Sequence, residues 1–383
     1  MHVTTPMATA SAAAYRNNFG KFPTNATAGD RMFAEYFRNA TRALGERALA
    51  DIRTAEDWEK YKVPARQQLF EMLGLDPLPP KTDLHATITG RIEQPDFTVE
   101  KLHFQSRPGL YATANVYVPT KLTAPAPAIL YVCGHAQVKT NGVSYGNKVG
   151  YQHWGAWFAR NGYVCLVLDT VQLGELEGIH HGTYKEGMWW WNSRGYSSAG
   201  AEAWNCIRAL DYLQSRKDVD GERLGVTGRS GGGAYSWWIA ALDDRIKAAA
   251  PACYITTLPR VARAIGPQDA EQNIFGQLKF GMDHPDYLTM RAPSPALVAA
   301  AIQDFFPIAG ARAAVEEARG MYAILGKPDQ IAKVEHDDKH GWAKPMREAS
   351  VRWMSRWLKG VDAPVAEADS IKLIDEREIQ VTR

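Results

Sequence analysis

The sequence lacks the features of a membrane protein and of a chain with a recognisable leader. No apolar run approaches the roughly 20 residues that a transmembrane helix requires. Residues 1–14 show neither the basic start nor the apolar block of a signal peptide. We therefore expect a soluble protein with no membrane partner. A secreted or periplasmic location would require a signal peptide removed ahead of residue 1, so the sequence leaves the compartment undecided.

An excess of charge of one sign is also missing. The 44 basic residues nearly balance the 42 acidic ones, which gives a formal net charge of +2. Without a strong positive field, nucleic acid is not an expected partner. Cysteine is scarce, with four residues and no Cys-x-x-Cys pair, and each lies on a predicted strand or on the core face of a predicted helix. We expect buried free thiols at these positions, namely Cys133, Cys165, Cys206 and Cys253.

The 383 residues, 45% of them hydrophobic, suffice for one large domain with an extension. Residues 1–27 are small and polar, and residues 29–73 carry apolar side chains at helical spacing. Alternating segments at 85–92, 97–104 and 111–118 then predict an antiparallel meander. We expect residues 1–82 to form an N-terminal arm and helical extension packed on the main domain.

The second part of the chain alternates continuous apolar runs with helical stretches. Runs of this kind are typical of parallel strands covered on both faces. They predict a doubly wound, mostly parallel α/β sheet over residues 83–383, with a lid-like insertion at 175–200. The runs lie at residues 128–133, 163–168, 223–228, 246–253, 296–302 and 331–335, with helices at 151–161 and 346–358.

The strand at 223–228 runs into Gly228-Arg-Ser-Gly-Gly, a match to the G-x-S-x-G motif, and a helical stretch follows. In a nucleophile elbow the sharp turn strains the serine backbone and presents its hydroxyl. Glycines two residues either side are needed because a Cβ there would collide with neighbouring backbone. The pattern predicts Ser230 as a catalytic nucleophile, whereas a Gly-rich turn with a solvated serine is the plain alternative.

A serine hydroxyl needs a base, and the base needs an orienting carboxylate. In chain order the acid and then the histidine follow the serine on later loops. His340 follows the last predicted strand and is the expected base, with His336 as second choice. Asp304 lies just past the strand at 296–302 and is the expected acid, although it could instead cap the next helix. Asp337 and Asp338 compete as acids on the histidine's own loop.

An oxyanion requires two preorganised donors, normally backbone N–H groups. We expect these from Gly231, directly after the nucleophile, and from His135 on the loop after the strand at 128–133, with Ala136 as the adjacent alternative.

Residues around the predicted site suggest a substrate-binding wall. Trp189 and Trp190 lie in the insertion, and Glu271 and Gln272 follow the strand after the elbow; all four are candidate substrate contacts. The segment of Glu271 and Gln272 could equally be a helix N-terminus with Asp269 as its cap. Three consecutive tryptophans must point different ways, so part of this run is expected to pack structurally. A zinc site at His180, His181, Glu175 and Glu177 is disfavoured because adjacent residues rarely ligate one ion together, so we expect no metal.

Together these segments resemble the acetyl xylan esterase-like and dienelactone hydrolase-like group of α/β-hydrolases, from about residue 84 to residue 358. The resemblance implies an α/β-hydrolase fold and a serine esterase, without a cofactor, often acting on acylated carbohydrate. The segments that carry it are Cys133-Gly-His135, Asp169 with Gly174-Glu175, residues 208–213, Gly-Arg-Ser-Gly-Gly-Gly at 228–233, Asp-Phe-Phe-Pro at 304–307 and His340-Gly341.

The expected function is hydrolysis of a carboxylic ester through a Ser230–His340–Asp304 acyl-enzyme mechanism. The favoured substrate is an acylated or uronate-ester carbohydrate or another small-molecule ester. A prolyl-oligopeptidase-like peptidase uses the same chain order, but no propeller-like repeats precede the domain. A non-catalytic sugar-binding protein on a hydrolase fold is the alternative from another class. The acyl group, the alcohol and the oligomeric state are not readable from the sequence.

Overall fold

A nine-stranded sheet forms the centre of the protein in a computed structural model that describes residues 26–47, 52–136, 138–180, 197–264, 272–368 and 371–382. Its strands, with the small β5–β6 pair outside it, are β1 (Thr87–Glu93), β2 (Phe97–Arg107), β3 (Leu110–Pro119), β4 (Ala126–Val132), β5 (Lys139–Thr140), β6 (Val143–Ser144), β7 (Val164–Leu168), β8 (Val219–Gly228), β9 (Ile246–Ala249), β10 (Ala296–Ala301) and β11 (Ile331–His336).

Helices connect these strands and cover the sheet. In the described residues they are α1 (Ala28–Arg47), α2 (Ala55–Met72), α3 (Gln152–Arg160), α4 (Ser198–Ser215), α5 (Gly231–Leu242), α6 (Leu258–Ala264), α7 (Gln277–Phe280), α8 (His284–Arg291), α9 (Ile308–Ile324) and α10 (Lys344–Lys359), with short 3-10 turns at Asn147–Tyr151 and Pro328–Gln330.

The strand order in the large sheet is β1-β2-β3-β7-β4-β8-β9-β10-β11. Strands β1, β2 and β3 pair antiparallel, and β3 pairs antiparallel with β7. The remaining neighbours, from β7 to β11, pair parallel. The predicted antiparallel edge and parallel, helix-covered sheet are therefore confirmed.

Apolar side chains cover both faces of the sheet, and the parallel strands β4, β7 and β10 are buried along their whole length, as continuous apolar runs require. One face packs against α2, α4, α5, α8 and α9 through residues such as Trp58, Trp204 and Trp238. The opposite face packs against α3 and α10, and Ile371 and Ile379 from the C-terminal segment complete this second layer. The four cysteines are buried and free, as predicted.

The strand after the elbow is shorter than the sequence pattern predicts. The apolar run at 246–253 forms a regular strand only from Ile246 to Ala249. Pro251 has no N–H for the ladder, so pairing resumes only as isolated bridges from Ala252 to Arg229 and to Ala299. Among the described helices, none combines the length and apolarity needed to cross a bilayer.

Candidate active site

Ser230 lies at the turn between β8 and α5, as the motif predicts. Its backbone has φ 60° and ψ −123°, a left-handed conformation rare for residues with a side chain. The Ser230 N–H donates to the Ala252 carbonyl at 3.1 Å, and the Ser230 carbonyl accepts from the Ala234 N–H at 3.0 Å. Its side chain makes no capping bond to the helix. The hydroxyl is thus not committed to holding the helix start.

The two flanking glycines are required by close backbone contacts. A Cβ on Gly228 would lie 2.5 Å from the carbonyl oxygens of Val132 and Gly232. A Cβ on Gly232 would lie 2.1 Å from the Val132 oxygen. Since backbone cannot move aside as a flexible side chain can, any larger residue would open the turn. The steric reason inferred from the motif therefore applies in this fold.

His340 and Asp304 are hydrogen-bonded to each other. The His340 Nδ1 lies 2.8 Å and 2.9 Å from the two Asp304 carboxylate oxygens, and Asp304 is buried. The Phe306 N–H also donates to Asp304 at 3.0 Å. Helix α9 begins after Pro307 without a side-chain cap, so Asp304 does not serve as its cap. This geometry lets the carboxylate orient the imidazole through Nδ1 and leaves Nε2 outside that contact.

Residues 252 and 253 connect this pair to the elbow. Ala252 bridges both Arg229 and Ala299, and the Cys253 N–H donates to Ala299 at 2.9 Å. The Cys253 thiol donates to the Gly341 carbonyl at 2.9 Å, next to His340. Ser230 and the His340–Asp304 pair therefore lie at the same carboxyl edge of the sheet, where ligands bind in open α/β folds.

Cys253, Asp304 and His340 each place one side-chain atom within 4.8 Å of the others, a spacing that a metal ion could occupy. Burial, and then the nearby Asp304 charge, raise the pKa of the Cys253 thiol to about 12. A thiol that stays protonated is a poor nucleophile. The existing His340–Asp304 hydrogen bond accounts for the cluster without a metal.

The competing sequence candidates have other partners. His336 ends β11 and pairs with Ala301 in the sheet. The Asp337 carboxylate accepts from the Gln303 side chain at 2.9 Å, and that of Asp338 accepts from the Lys339 N–H at 2.7 Å. Of the acids that the sequence proposed, Asp304 is the one hydrogen-bonded to His340.

The expected oxyanion donors lie on the two segments adjoining Ser230. Gly231 is the first residue of α5, where N–H groups have no partner within the helix. The loop of Gly134 and His135 packs closely against the elbow: a Cβ on Gly134 would lie 2.3 Å from the Arg229 carbonyl oxygen. The assignment of the Gly231 and His135 N–H groups remains a prediction.

The expected substrate contacts are described only in part. Trp189, Trp190 and Glu271 lie outside the described residues, whereas Gln272 is described and buried. Of the residues weighed as zinc ligands, His181 is also outside the described range, and the His180 Nδ1 lies 3.3 Å from the Val171 carbonyl.

Sequence reasoning missed a buried ion cluster beside the site. Lys148 is fully buried, and its ammonium bonds to Asp169 at 2.8 Å and to Glu175 at 2.5 Å. Burial opposes the charge, but the two carboxylates outweigh it and hold the pKa of Lys148 above its ordinary value. Asp169 and Glu175 were noted in the sequence; Lys148 carried no signal, because a lysine in a loop normally indicates solvent exposure.

Comparisons with known proteins support the fold and a hydrolase activity. Residues 81–287 match the acetyl xylan esterase (AXE1) family. The chain is 27% identical over 303 residues to YtaP of Bacillus subtilis (strain 168), a protein designated a hydrolase, and the match covers 76% of this chain and 98% of YtaP.

Two solved structures show the same architecture at low identity. Methylesterase BT1017 superposes with a TM-score of 0.64 at 23% identity, covering 90% of this chain and 72% of that one. A glucuronoyl esterase from Solibacter usitatus gives a TM-score of 0.62 at 18% identity, covering 79% and 94%. At these identities the structures support the fold alone, and the predicted α/β-hydrolase fold is confirmed.

Proposed function

This chain belongs to the acetyl xylan esterase family and is a carboxylic ester hydrolase, and on that premise we propose that it cleaves carbohydrate esters through a Ser230–His340–Asp304 triad. The observation that carries the proposal is the His340–Asp304 hydrogen bond at the sheet edge where Ser230 occupies its strained turn. The serine, the base and the orienting acid needed for acyl transfer thus share one edge.

In the proposed reaction the Ser230 hydroxyl attacks the ester carbonyl carbon and its proton passes to the His340 Nε2. The oxyanion accepts hydrogen bonds from the Gly231 and His135 N–H groups. The C–O bond to the sugar or other alcohol then breaks, and that alcohol leaves with the proton from His340. Water attacks the acyl-serine, again with His340 as base, and the carboxylic acid departs from a regenerated Ser230.

The substrate we propose is an O-acyl or uronate ester of a carbohydrate. The family description points to acetylated xylan, and two structural neighbours are named for methyl ester and glucuronoyl ester cleavage. We further propose that residues 83–383 form the catalytic domain, that 175–200 act as a lid, and that 1–82 pack on the domain as an extension. Buried Trp58 and Leu69 on α2 support the last point.

The test is turnover and covalent labelling of the purified protein. Ser230→Ala should abolish hydrolysis of p-nitrophenyl acetate and prevent stoichiometric labelling by a fluorophosphonate, with unchanged thermal unfolding. Ser215→Ala, an exposed serine at the end of α4, is the matched control and should behave as wild type. Substantial activity in Ser230→Ala would identify a different nucleophile, and failure of wild type to label would favour a non-catalytic binding protein.

A substrate panel then separates the ester classes. Acetylated, feruloylated and methyl-uronate sugars are compared with a prolyl amide at equal concentration. Cleavage of a sugar ester with little amide cleavage supports the proposal, whereas amide cleavage alone would contradict it in favour of a peptidase.

A further inference from the structure

Asn147 joins three loops at the edge of the site without itself reaching solvent. It begins the 3-10 turn Asn147–Tyr151 and is fully buried. Its amide nitrogen donates to the Gly134 carbonyl at 2.8 Å and to the Thr170 hydroxyl at 2.7 Å. Its amide oxygen accepts from the Thr170 N–H at 3.0 Å. Opposite partners on its two ends fix the orientation of this amide.

Thr170 extends the contact to the preceding peptide. Its hydroxyl donates to the Cys133 carbonyl at 2.7 Å while accepting from Asn147. Both carbonyls at the start of the loop after β4, those of Cys133 and Gly134, are therefore held by side chains. Neither bond belongs to the regular sheet ladder, so these two residues contribute to the peptide orientation of the loop. The Tyr151 hydroxyl adds a longer contact to the next carbonyl, that of His135, at 3.5 Å.

The geometry of the peptide bond gives this arrangement a consequence for the site. In a trans peptide the C=O and the next N–H point in opposite directions within one plane. The Gly134 carbonyl points at Asn147, so the His135 N–H in the same plane points away from Asn147. We propose that Asn147 is a positioning residue that aims the His135 N–H at the oxyanion, with Thr170 as its support. The inference rests on the proposed function, in which this N–H binds the oxyanion.

Asn147 can hold the loop because its own segment is anchored. The next residue, Lys148, donates its backbone N–H to Asp169 at 2.8 Å, and its ammonium bonds to Asp169 and Glu175. Glu175 in turn accepts from the backbone N–H groups of Val381 and Thr382. The turn is thus fixed to the loop after β7 and to the C-terminal segment, and a shift of Asn147 would require breaking a buried ion cluster.

The test compares variants that change donors while keeping shape. Asn147→Asp keeps an acceptor for Thr170 but loses both donated bonds; Thr170→Val removes the hydroxyl; Thr170→Ser keeps it. Removing one oxyanion donor costs about 10²- to 10³-fold in kcat. A misaimed donor should therefore lower kcat about 10- to 100-fold, with KM nearly unchanged. Thr170→Ser should recover most of what Thr170→Val loses, and Asn161→Asp, at the end of α3, is a matched control expected to keep wild-type kcat.

Two readouts separate positioning from general damage to the fold. Fluorophosphonate titration counts active sites, so kcat is expressed per competent molecule. The preference for p-nitrophenyl acetate over its thiono analogue reports hydrogen bonding to the carbonyl oxygen, and we expect that preference to fall in Asn147→Asp. If Asn147→Asp does not fold, the comparison of Thr170→Val with Thr170→Ser still tests the inference.

Per-site kcat and thiono preference within twofold of wild type in both Asn147→Asp and Thr170→Val would overturn the inference. The proposed function survives that result as long as Ser230→Ala is inactive. An active Ser230→Ala variant would instead overturn the proposed function itself.

Discussion

At the scale of single residues, Ser230 combines backbone strain with close packing. A non-glycine residue at φ 60° costs of the order of 1–3 kcal/mol, and such strain persists only where the surroundings over-determine it. Here the bond from Ser230 to Ala252 and the tight approach of Gly232 to Val132 leave no room for the turn to relax. The strained conformation of Ser230 is therefore held in place by contacts with β4, β8 and the segment after β9.

Asp304→Asn should lower kcat by about 10³- to 10⁴-fold with little change in thermal unfolding. An amide in place of the carboxylate favours the wrong imidazole tautomer and no longer stabilises the imidazolium. Steady-state kinetics on an activated acetate ester measure the effect. Asp329→Asn is the control, since Asp329 pairs with Arg356 at the surface. An Asp304→Asn enzyme within tenfold of wild type would remove Asp304 from the proposed triad.

Gly232→Ala should prevent folding or destabilise the protein by about 1–3 kcal/mol or more, because its Cβ would lie 2.1 Å from the Val132 oxygen. Gly320→Ala should instead raise the free energy of unfolding. A Cβ at Gly320 meets nothing within 4 Å, and alanine in the interior of α9 gains up to about 1 kcal/mol of helix propensity. Urea unfolding of the pair provides the measurement, and equal effects would contradict the steric account.

The residues of the predicted triad could be read from the sequence because each has a local signal. Ser230 lies in a recognisable motif, and Asp304 and His340 each follow an apolar strand. Asn147 had no such signal. Its role depends on bringing together loops after three different strands, and contacts between distant segments are not encoded in any local pattern.

At the scale of elements, helices α2, α8 and α9 meet at three acids, of which Asp286 is buried and Asp283 and Glu317 are half-buried. The Tyr61 hydroxyl donates to Asp286 at 2.9 Å, and the Asp283 N–H donates to the same carboxylate at 2.7 Å. Burial raises the pKa of Asp283 and of Asp286 to about 6. Burial and the charges of these two acids raise the pKa of Glu317 on α9 to about 7. The folded protein therefore binds protons on these carboxyl groups more tightly than the unfolded chain does.

The stability of this junction should fall as pH rises. A carboxyl with a raised folded-state pKa contributes its full stabilisation below its unfolded value near 4, and loses it as pH passes through the folded value near 6. Asp286→Asn mimics the protonated form, so it should raise the melting temperature at pH 8 and lose this advantage near pH 4. Melting curves from pH 4 to pH 8 for wild type and variant provide the measurement. A difference independent of pH would contradict the shifted pKa of Asp286.

Element types were largely predictable, whereas their arrangement was not. Alternating and continuous apolar runs predicted the antiparallel β1–β3 and the parallel strands β4 and β7 to β11. The order in which β7 lies between β3 and β4 has no local signal, because it depends on which strand edges pair after the chain crosses over. The short β5–β6 hairpin and the early end of β9 were also missed, since two-residue strands and bridges carry too few residues for a pattern.

At the scale of the whole molecule, the two sheet faces are closed by different parts of the chain. One face is covered by α2, α4, α5, α8 and α9, and the other by α3, α10 and the C-terminal segment. That segment is held by polar bonds as well, including one from the Asn115 side chain to the Ile379 carbonyl at 3.0 Å. It has no regular secondary structure, so periodicity could not predict its place.

Ile379→Ala should destabilise the protein by about 2–5 kcal/mol, because Ile379 is fully buried in the second layer and its loss leaves a cavity. Leu373→Ala in the same segment removes a side chain that is 52% exposed and should change stability by less than about 0.5 kcal/mol. Urea unfolding of both variants measures the difference. Similar values for the two would show that the segment packs differently.

The hydrogen bonds that Glu175 accepts from the backbone of residues 381 and 382 have a consequence for the order of folding. Translation delivers the elbow, the loop after β4 and Lys148 long before the segment that joins Glu175. Until residues 381 and 382 have been made, the Glu175 carboxylate lacks these two backbone donors, although Lys148 is already available to pair with it. We therefore expect the loop after β7 to complete its hydrogen bonding late in folding, once residues 381 and 382 have been translated.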